Sequence, residues 1–204
     1  MYFFQNEKIG VFIDGQHLYN VSRGLGFDVD YRDLLKFFRE QGRLVHAYYY
    51  AALLENEEYT PLRPLMDWLD YNGYLVVSKS AREYTDANGN RRVQSNMDVD
   101  IATDMLEQAN HLDHFVLVSG SGNLRRPIEA LRAKGARTSV MTSVKTAPPM
   151  CSDDLRRACD EFIEINEVME HFTRRRTEPR TDDVRTIRRR PAPAVAPGIV
   201  GVGD

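Results

Sequence analysis

The clearest indication of the fold comes from ten residues in the second half of the chain, Phe115-Val116-Leu117-Val118-Ser119-Gly120-Ser121-Gly122-Asn123-Leu124. A short, continuous apolar run stops at small, turn-forming residues, and the periodic segment from Leu124 to Lys134 predicts a helix. The pattern predicts a buried strand that enters a helix through a glycine-rich corner. Ligands of open parallel sheets bind outside the carboxyl ends of the strands, so we expect a functional site at this corner.

Similar apolar runs alternate with helical patterns along most of the chain. Residues 9–14 are the first such run and predict a central strand that ends at Asp14. Further strands are predicted at residues 44–53, 74–77 and 136–141, with helical segments between them. This alternation predicts a doubly wound α/β domain with a mostly parallel sheet of about five strands.

The net charge of -3 is distributed unevenly along the sequence. The segment from Thr173 to Asp204 contains eight arginines and four acids, a balance of +4, so residues 1–172 carry -7. We predict a folded domain at 1–172 and a disordered, basic, proline-rich tail at 173–204. A basic arm can hold a polyanion near an acidic body, but a solubilising tail explains the charge equally well.

Composition and motifs argue against several classes of protein. No run approaches the ~18 apolar residues of a membrane span, and the N-terminus lacks the pattern of a secretory signal. Cys151 and Cys159 suit neither a disulfide framework nor a zinc site, so we expect reduced thiols in a cytoplasmic protein. No G-x-G-x-x-G follows the first strand and no P-loop is present, which disfavours a dinucleotide fold. The sequence does not specify an oligomeric state.

Two acids are expected near the same edge of the sheet as the corner. Asp14 ends the first strand, and Asp98 lies in the first turn of a helix predicted from Asn96 to about Asn110. Converging carboxylates at this edge are suited to hold Mg²⁺ or Mn²⁺ for phosphodiester cleavage. Each acid also has a structural interpretation, since Asp14 can cap a helix and Asp98 can interact with a helix dipole.

A projecting hairpin is predicted around a turn at Asn88-Gly89. Its basic residues are Lys79, Arg82, Arg91 and Arg92. Together with Tyr84 between them, they suit contact with a phosphate backbone. Charges that protect an exposed sheet edge are the alternative interpretation.

Five separated blocks form a specific pattern: Phe12-Ile13-Asp14-Gly15-Gln16-His17-Leu18-Tyr19, Pro64-Leu65-Met66-Asp67-Trp68-Leu69-Asp70-Tyr71-Asn72-Gly73-Tyr74, Asn96-Met97-Asp98-Val99, Val118-Ser119-Gly120-Ser121-Gly122-Asn123 and Pro148-Pro149-Met150. In this order they resemble the NYN domain family, specifically its LabA-like bacterial branch, a relative of the PIN-type ribonucleases. The resemblance spans roughly Lys8 to Phe172. It implies a PIN-like, three-layer α/β/α fold, RNA as the partner and divalent-metal-dependent cleavage of RNA.

The resemblance assigns roles to individual residues. Asp14 and Asp98 match the family's catalytic, metal-binding acids. Asp104 also matches a family acid, although with Asp100 and Glu107 it forms a stripe that is typical of a solvated helix face. Candidate supporting residues are Asp104, Asp100, Asn123, Ser121, Ser119 and His17. Candidate phosphate or RNA contacts are Gly120, Gly122, Lys79, Arg82, Arg91 and Arg92.

The chain departs from the family at the corner itself. The family pattern is Ser-Gly-Asp-x-Asp-Phe, whereas this chain has Ser121, Asn123 and Leu124 at the two acids and the aromatic. His17 stands where the family has Asn, and Gln94-Ser95 where it usually has Lys-Gly. The loss of two anions predicts a weakly held Mg²⁺ or Mn²⁺ and removes a candidate base for the attacking water.

Several hypotheses of function follow. The favoured one is an RNA-binding NYN domain with impaired or absent catalysis, in which Ser121 and Asn123 cap the next helix. An active metal-dependent ribonuclease is the alternative, with His17 and Asn123 completing a reduced ligand set. A protein-interaction or regulatory module without RNA is a second alternative, and a small-molecule binder finds no supporting motif.

Overall fold

The protein is described by a computed structural model that covers residues 3–54, 62–85, 91–94 and 96–174. Seven strands form one sheet in these ranges: β1 Lys8–Asp14, β2 Arg43–Leu54, β3 Leu75–Thr85, β4 Arg91–Gln94, β5 His114–Val118, β6 Arg137–Thr142 and β7 Glu161–Glu164. Their spatial order is β4-β3-β2-β1-β5-β6-β7. All neighbours pair in parallel except β3 and β4, which are antiparallel.

Helices cover both faces of this sheet. The described helices are α1 Gly15–Leu25, α2 Tyr31–Gln41, α3 Leu62–Tyr71, α4 Asp98–Glu107, α5 Arg125–Ala133, α6 Asp153–Ala158 and α7 Ile165–Val168. Helices α1, α2, α3 and α7 contribute to the apolar core on one face, and α4, α5 and α6 to the core on the other. The predicted three-layer α/β/α fold with a mostly parallel sheet is therefore confirmed.

The topology fixes where a ligand can approach the sheet. Strand β1 is central, and the strand order reverses between β1 and β5. Both neighbours are buried along their length because helices cover both sides, which explains their continuous apolar runs. A crevice opens at such a switch point, outside the carboxyl ends of the two strands. The residues that follow β1 and β5 therefore meet at one place.

The third strand is longer than the sequence pattern predicts. We expect a strand at 74–77 followed by a separate hairpin, but β3 continues without interruption to Thr85 and pairs with β4. The predicted turn at Asn88-Gly89 lies outside the described residues. Strand β3 extends because its first half pairs with β2 and its second half pairs with β4.

The backbone remains paired slightly beyond the predicted end of the domain at Phe172. Thr173 forms an antiparallel bridge with Val29, and the Arg174 N–H donates to the carbonyl oxygen of Asp28. The rest of the predicted tail lies outside the described residues. None of the helices in the described ranges is both long and apolar enough to cross a membrane.

Candidate active site

The carboxylate of Asp14, which is partly buried, lies at the end of β1 beside the switch point. Asp14 Oδ1 accepts a hydrogen bond from the His17 N–H at 3.0 Å, so Asp14 caps α1 while facing the crevice. Its structural and functional interpretations are thus compatible. Burial raises the pKa of Asp14, and the negative charge of Asp98 raises it further, against hydrogen bonds from the His17 and Gln16 backbone and the Ser119 side chain.

Asp98 lies opposite, at the start of α4, and is only 9% exposed. A single oxygen of this carboxylate, Oδ2, accepts three hydrogen bonds. The donors are Asn96 Nδ2 at 2.9 Å, Ser121 Oγ at 2.8 Å and Asn123 Nδ2 at 2.8 Å. The negative charge of Asp98 is therefore stabilised by neutral donors of the protein itself.

The glycine-rich corner, residues 119–123, hydrogen-bonds both carboxylates. The buried Ser119 hydroxyl donates to Asp14 and accepts from the Ser121 N–H at 3.3 Å, while Ser121 Oγ donates to Asp98. The predicted capping of the next helix by Ser121 and Asn123 is wrong. Neither the 3₁₀ turn Gly122–Leu124 nor α5 has a side-chain cap, because both side chains turn to Asp98 instead.

Close packing requires a glycine at position 120 and disfavours a larger residue at position 122. A Cβ atom on Gly120 would lie 1.9 Å from the Met150 carbonyl oxygen and 2.7 Å from His17 Cε1. A Cβ atom on Gly122 would lie 2.9 Å from Ser152 Oγ. Close packing is thus a sufficient reason for Gly120 but not for Gly122, where the Ser152 hydroxyl can move away, and the contact of both glycines with phosphate stays a prediction.

His17 is held as a neutral side chain in the wall of the crevice. Its Nε2 lies 2.7 Å from Thr142 Oγ1, and that hydroxyl donates to the Met150 carbonyl oxygen at 3.1 Å. Because the hydroxyl proton is used there, His17 Nε2 carries the proton and donates to Thr142. Burial lowers the pKa of His17 to about 4, so the ring is uncharged at neutral pH.

The acidic stripe of α4 contacts β2 and β3 and is not a freely solvated face. Asp104 Oδ2 accepts a hydrogen bond from the Tyr50 hydroxyl at 2.9 Å, and Asp100 forms an ion pair with Lys79. Burial, followed by the bond to Asp104, raises the pKa of Tyr50. These two acids anchor α4 to the sheet.

The predicted basic hairpin is described only in part. The charge of Lys79 is offset by Asp100, which reduces its attraction for a phosphate. The side chains of Arg82, Arg91 and Arg92 lie outside the described part of the structure. Their contact with RNA remains a prediction.

Three contributors to the site were missed from the sequence. Asn96 donates to Asp98 and, through Oδ1, accepts the Asp98 N–H at 2.7 Å, a local pattern that an Asn-x-Asp sequence can indicate. Tyr19 and Arg23 line an open cleft of about 980 Å³ that extends from Asp14 along α1. Their i, i+4 spacing was visible in the sequence, but nothing in the sequence alone placed them on the crevice side of the helix.

The donor set does not fit a divalent metal ion well. Mg²⁺ and Mn²⁺ prefer several oxygen ligands, but Asp98 Oδ2 is already occupied by three donors and Asn123 presents its NH₂ group to it. Within the described ranges, no group of three or more His, Cys, Asp or Glu side chains is arranged to hold a metal.

The strand order and the neighbouring aspartates at the end of β1 and the start of α4 fit a PIN-like α/β fold. The family description that matches residues 8–166 is the NYN domain, and the chain belongs to this family, in its LabA-like branch. It is 34% identical over 169 residues to the low amplitude and bright protein LabA of Synechococcus elongatus, and the match covers 81% of this chain and 87% of that protein. The family is generally metal-dependent.

A solved structure supports the fold independently. A protein of unknown function from Vibrio parahaemolyticus superposes with a TM-score of 0.67 at 22% identity, and the match covers 85% of this chain and all of the other. At this identity the likeness concerns the fold alone.

Proposed function

We propose that this chain is an NYN domain that acts on RNA in the crevice between β1 and β5 with impaired or absent catalysis. One observation carries the proposal: Ser121 and Asn123, at the positions of two family acids, both donate hydrogen bonds to Asp98 Oδ2. The charge of Asp98 is thus already stabilised by neutral donors of the protein.

Electrostatic magnitudes support this proposal. Two unit charges about 4 Å apart attract by about 4 kcal/mol at an effective dielectric constant near 20. Each carboxylate missing from a metal site therefore removes a larger attraction than the roughly 1 kcal/mol that a neutral hydrogen bond contributes. With Ser121 and Asn123, a metal ion would lose two such attractions and would also have to displace the donors from Asp98.

Binding of RNA is supported by the family and by the shape of the crevice. Members of the NYN family interact with RNA generally, and the cleft beside Asp14 is open and lined mainly by polar side chains and glycines. Backbone amides of a glycine-rich corner suit contact with phosphate oxygens.

Cleavage of labelled RNA in Mg²⁺ and in Mn²⁺ tests the catalytic part. We expect little cleavage by the unaltered protein and a gain for Ser121→Asp/Asn123→Asp, which restores the two acids. Ser80→Asp/Asn110→Asp is the matched control, because it adds the same charge at exposed positions elsewhere. Robust cleavage by the unaltered protein that disappears in Asp14→Ala would contradict impaired catalysis and support an active ribonuclease with a reduced ligand set.

The proposed binding of RNA is tested separately, by fluorescence anisotropy of the same labelled RNA in the presence of EDTA. We expect binding by the unaltered protein without added metal. If RNA fails to bind in EDTA and in Mn²⁺, the proposal is wrong, and the hypothesis of a protein-interaction module takes its place.

A further inference from the structure

The cleft that leaves the corner is bordered by one side of α1, which we call the α1 wall: Tyr19, Asn20 and Arg23. Ser119, Gly120 and Ser121 of the corner line the same cleft. The hydrogen bonds that join Asp14 and Asp98 to the corner use none of the three wall side chains.

The Tyr19 ring is 59% exposed, although Leu18 and Val21 on the same helix are fully buried. Within the described residues the ring makes no aromatic contact and its hydroxyl makes no hydrogen bond. A large aromatic side chain without protein partners beside a polar cleft offers a free face for stacking.

Arg23 provides the positive charge of the same wall. It is exposed, and it forms no ion pair with any of the described acids. Tyr19 and Arg23 are four residues apart on α1, so their side chains lie on one face of the helix. Among the charged side chains that line the cleft in the described ranges, Arg23 is the cation and Asp14 the anion.

We propose that the α1 wall positions single-stranded RNA: a base stacks on Tyr19 and a phosphate pairs with Arg23, so that α1 guides the strand toward the corner. This inference rests on the proposed RNA function. Along the helix axis Arg23 lies nine residues from Asp14, or roughly 13 Å at 1.5 Å per residue, a distance that a strand of a few nucleotides spans. One strand can thus contact both the corner and the wall.

The wall predicts a preference for unpaired bases. An exposed tyrosine ring can stack only on a base whose face is free, and bases in an RNA duplex are stacked on their neighbours. Paired RNA can offer Arg23 a phosphate but cannot offer Tyr19 a base.

Fluorescence anisotropy with an eight-nucleotide single-stranded RNA and a duplex of the same sequence tests this inference. We expect Tyr19→Ala to weaken single-strand binding by about 5- to 150-fold, as loss of one base stack does, with little effect on the duplex. Tyr19→Phe retains the ring and should bind within about threefold of the unaltered protein. Tyr71→Ala is the matched control, since Tyr71 is 90% exposed on another helix and should change nothing.

Arg23→Gln is tested by the salt dependence of the same binding. Removal of one interaction between an arginine and a phosphate lowers the slope of log K against log salt by about 0.7 for a single strand. We expect that decrease for Arg23→Gln and none for Arg43→Gln, whose side chain is exposed at the opposite edge of the sheet.

The outcomes separate this inference from the proposed function. If the unaltered protein binds single-stranded RNA and Tyr19→Ala binds it equally well, the inference is overturned and the proposed function stands. If the unaltered protein binds no RNA, the proposed function itself fails. Thermal unfolding of Tyr19→Ala should match that of the unaltered protein because the side chain is exposed, and a large decrease in stability would point to a structural role instead.

Discussion

Asp14 and Asp98 both interact with the glycine-rich corner, but the surroundings of their carboxylates differ. Asp14 is buried and repelled by Asp98, and its pKa is raised, so its charge is held at a cost. The charge of Asp98 receives three hydrogen bonds at one oxygen. Replacing each aspartate by asparagine distinguishes these two situations.

Asp14→Asn should stabilise the domain at neutral pH. Because the pKa of Asp14 is raised on folding, the folded state binds its proton more tightly, and the free energy of unfolding falls as the pH rises from 3.8 through the raised value. Asparagine removes this penalty and still accepts from the His17 N–H as an N-cap. We expect a higher thermal midpoint at pH 7, and the gain should disappear below about pH 3.8. A lower midpoint than that of the unaltered protein at pH 7 would contradict this sign.

Asp98→Asn should destabilise the domain by about 2 to 4 kcal/mol, because the three charge-assisted hydrogen bonds to Oδ2 are replaced by weaker bonds to a neutral amide oxygen. Urea denaturation at pH 7 measures the change. Asp153→Asn is the control, since that aspartate is exposed and, among the described residues, forms its ion pair with Arg157 on the surface. Equal destabilisation by the two substitutions would mean that the hydrogen bonds to Asp98 Oδ2 contribute little.

At the scale of elements, strands and helices with a clear local sequence pattern can be predicted from the sequence. Strands β1 and β5 were predictable because two covered faces require continuous apolar runs, and α2 was predictable from Asp30, which caps it. The anchoring of α4 was not predictable. Its acidic stripe has the spacing of a solvated face, and only the folded sheet brings Tyr50 and Lys79 against it.

The bond between Tyr50 and Asp104 should contribute about 1 to 2 kcal/mol to the attachment of α4 to β2. Tyr50→Phe removes the hydroxyl and leaves the buried ring in place, so the free energy of unfolding should fall by about this amount. A double-mutant cycle with Asp104→Asn isolates the interaction. Tyr48→Phe on the same strand is the matched control, since no described residue accepts a hydrogen bond from the Tyr48 hydroxyl. A coupling energy near zero in the cycle would show that the hydrogen bond between Tyr50 and Asp104 does not help to attach α4 to β2.

At the scale of the whole molecule, the topology of the sheet determines where the site lies. The directions of the side chains determine which hydrogen bonds form there. The sequence placed Asp14, Asp98 and the corner at one sheet edge, because carboxyl ends of parallel strands share an edge. It did not show that Ser121 and Asn123 turn toward Asp98, since both also suit a helix cap. The direction of these two side chains depends on the carboxylate of Asp98, which is more than twenty residues away in the sequence. A local sequence pattern cannot indicate a contact over that separation.

The charge asymmetry of the whole chain leads to a final prediction. Residues 1–174 carry -6 and residues 175–204 carry +3, with seven arginines in the latter. Since Thr173 and Arg174 pair with Val29 and Asp28, the chain should be shortened after Arg174 so that the domain keeps these contacts. We expect the shortened protein to retain its thermal midpoint, to bind RNA more weakly, and to show a smaller salt dependence of binding, by about 0.7 in slope for each arginine that contacts a phosphate.

A variant of full length in which all seven arginines from Arg175 to Arg190 are replaced by glutamine separates charge from length. It should reproduce the weaker binding and the smaller slope of the shortened protein, because counterion release depends on charge and not on chain length. If both proteins bind RNA with the affinity and slope of the unaltered chain, the basic segment makes no contact with RNA. The acidic domain would then have to attract its polyanion through the α1 wall, the corner and the basic hairpin alone.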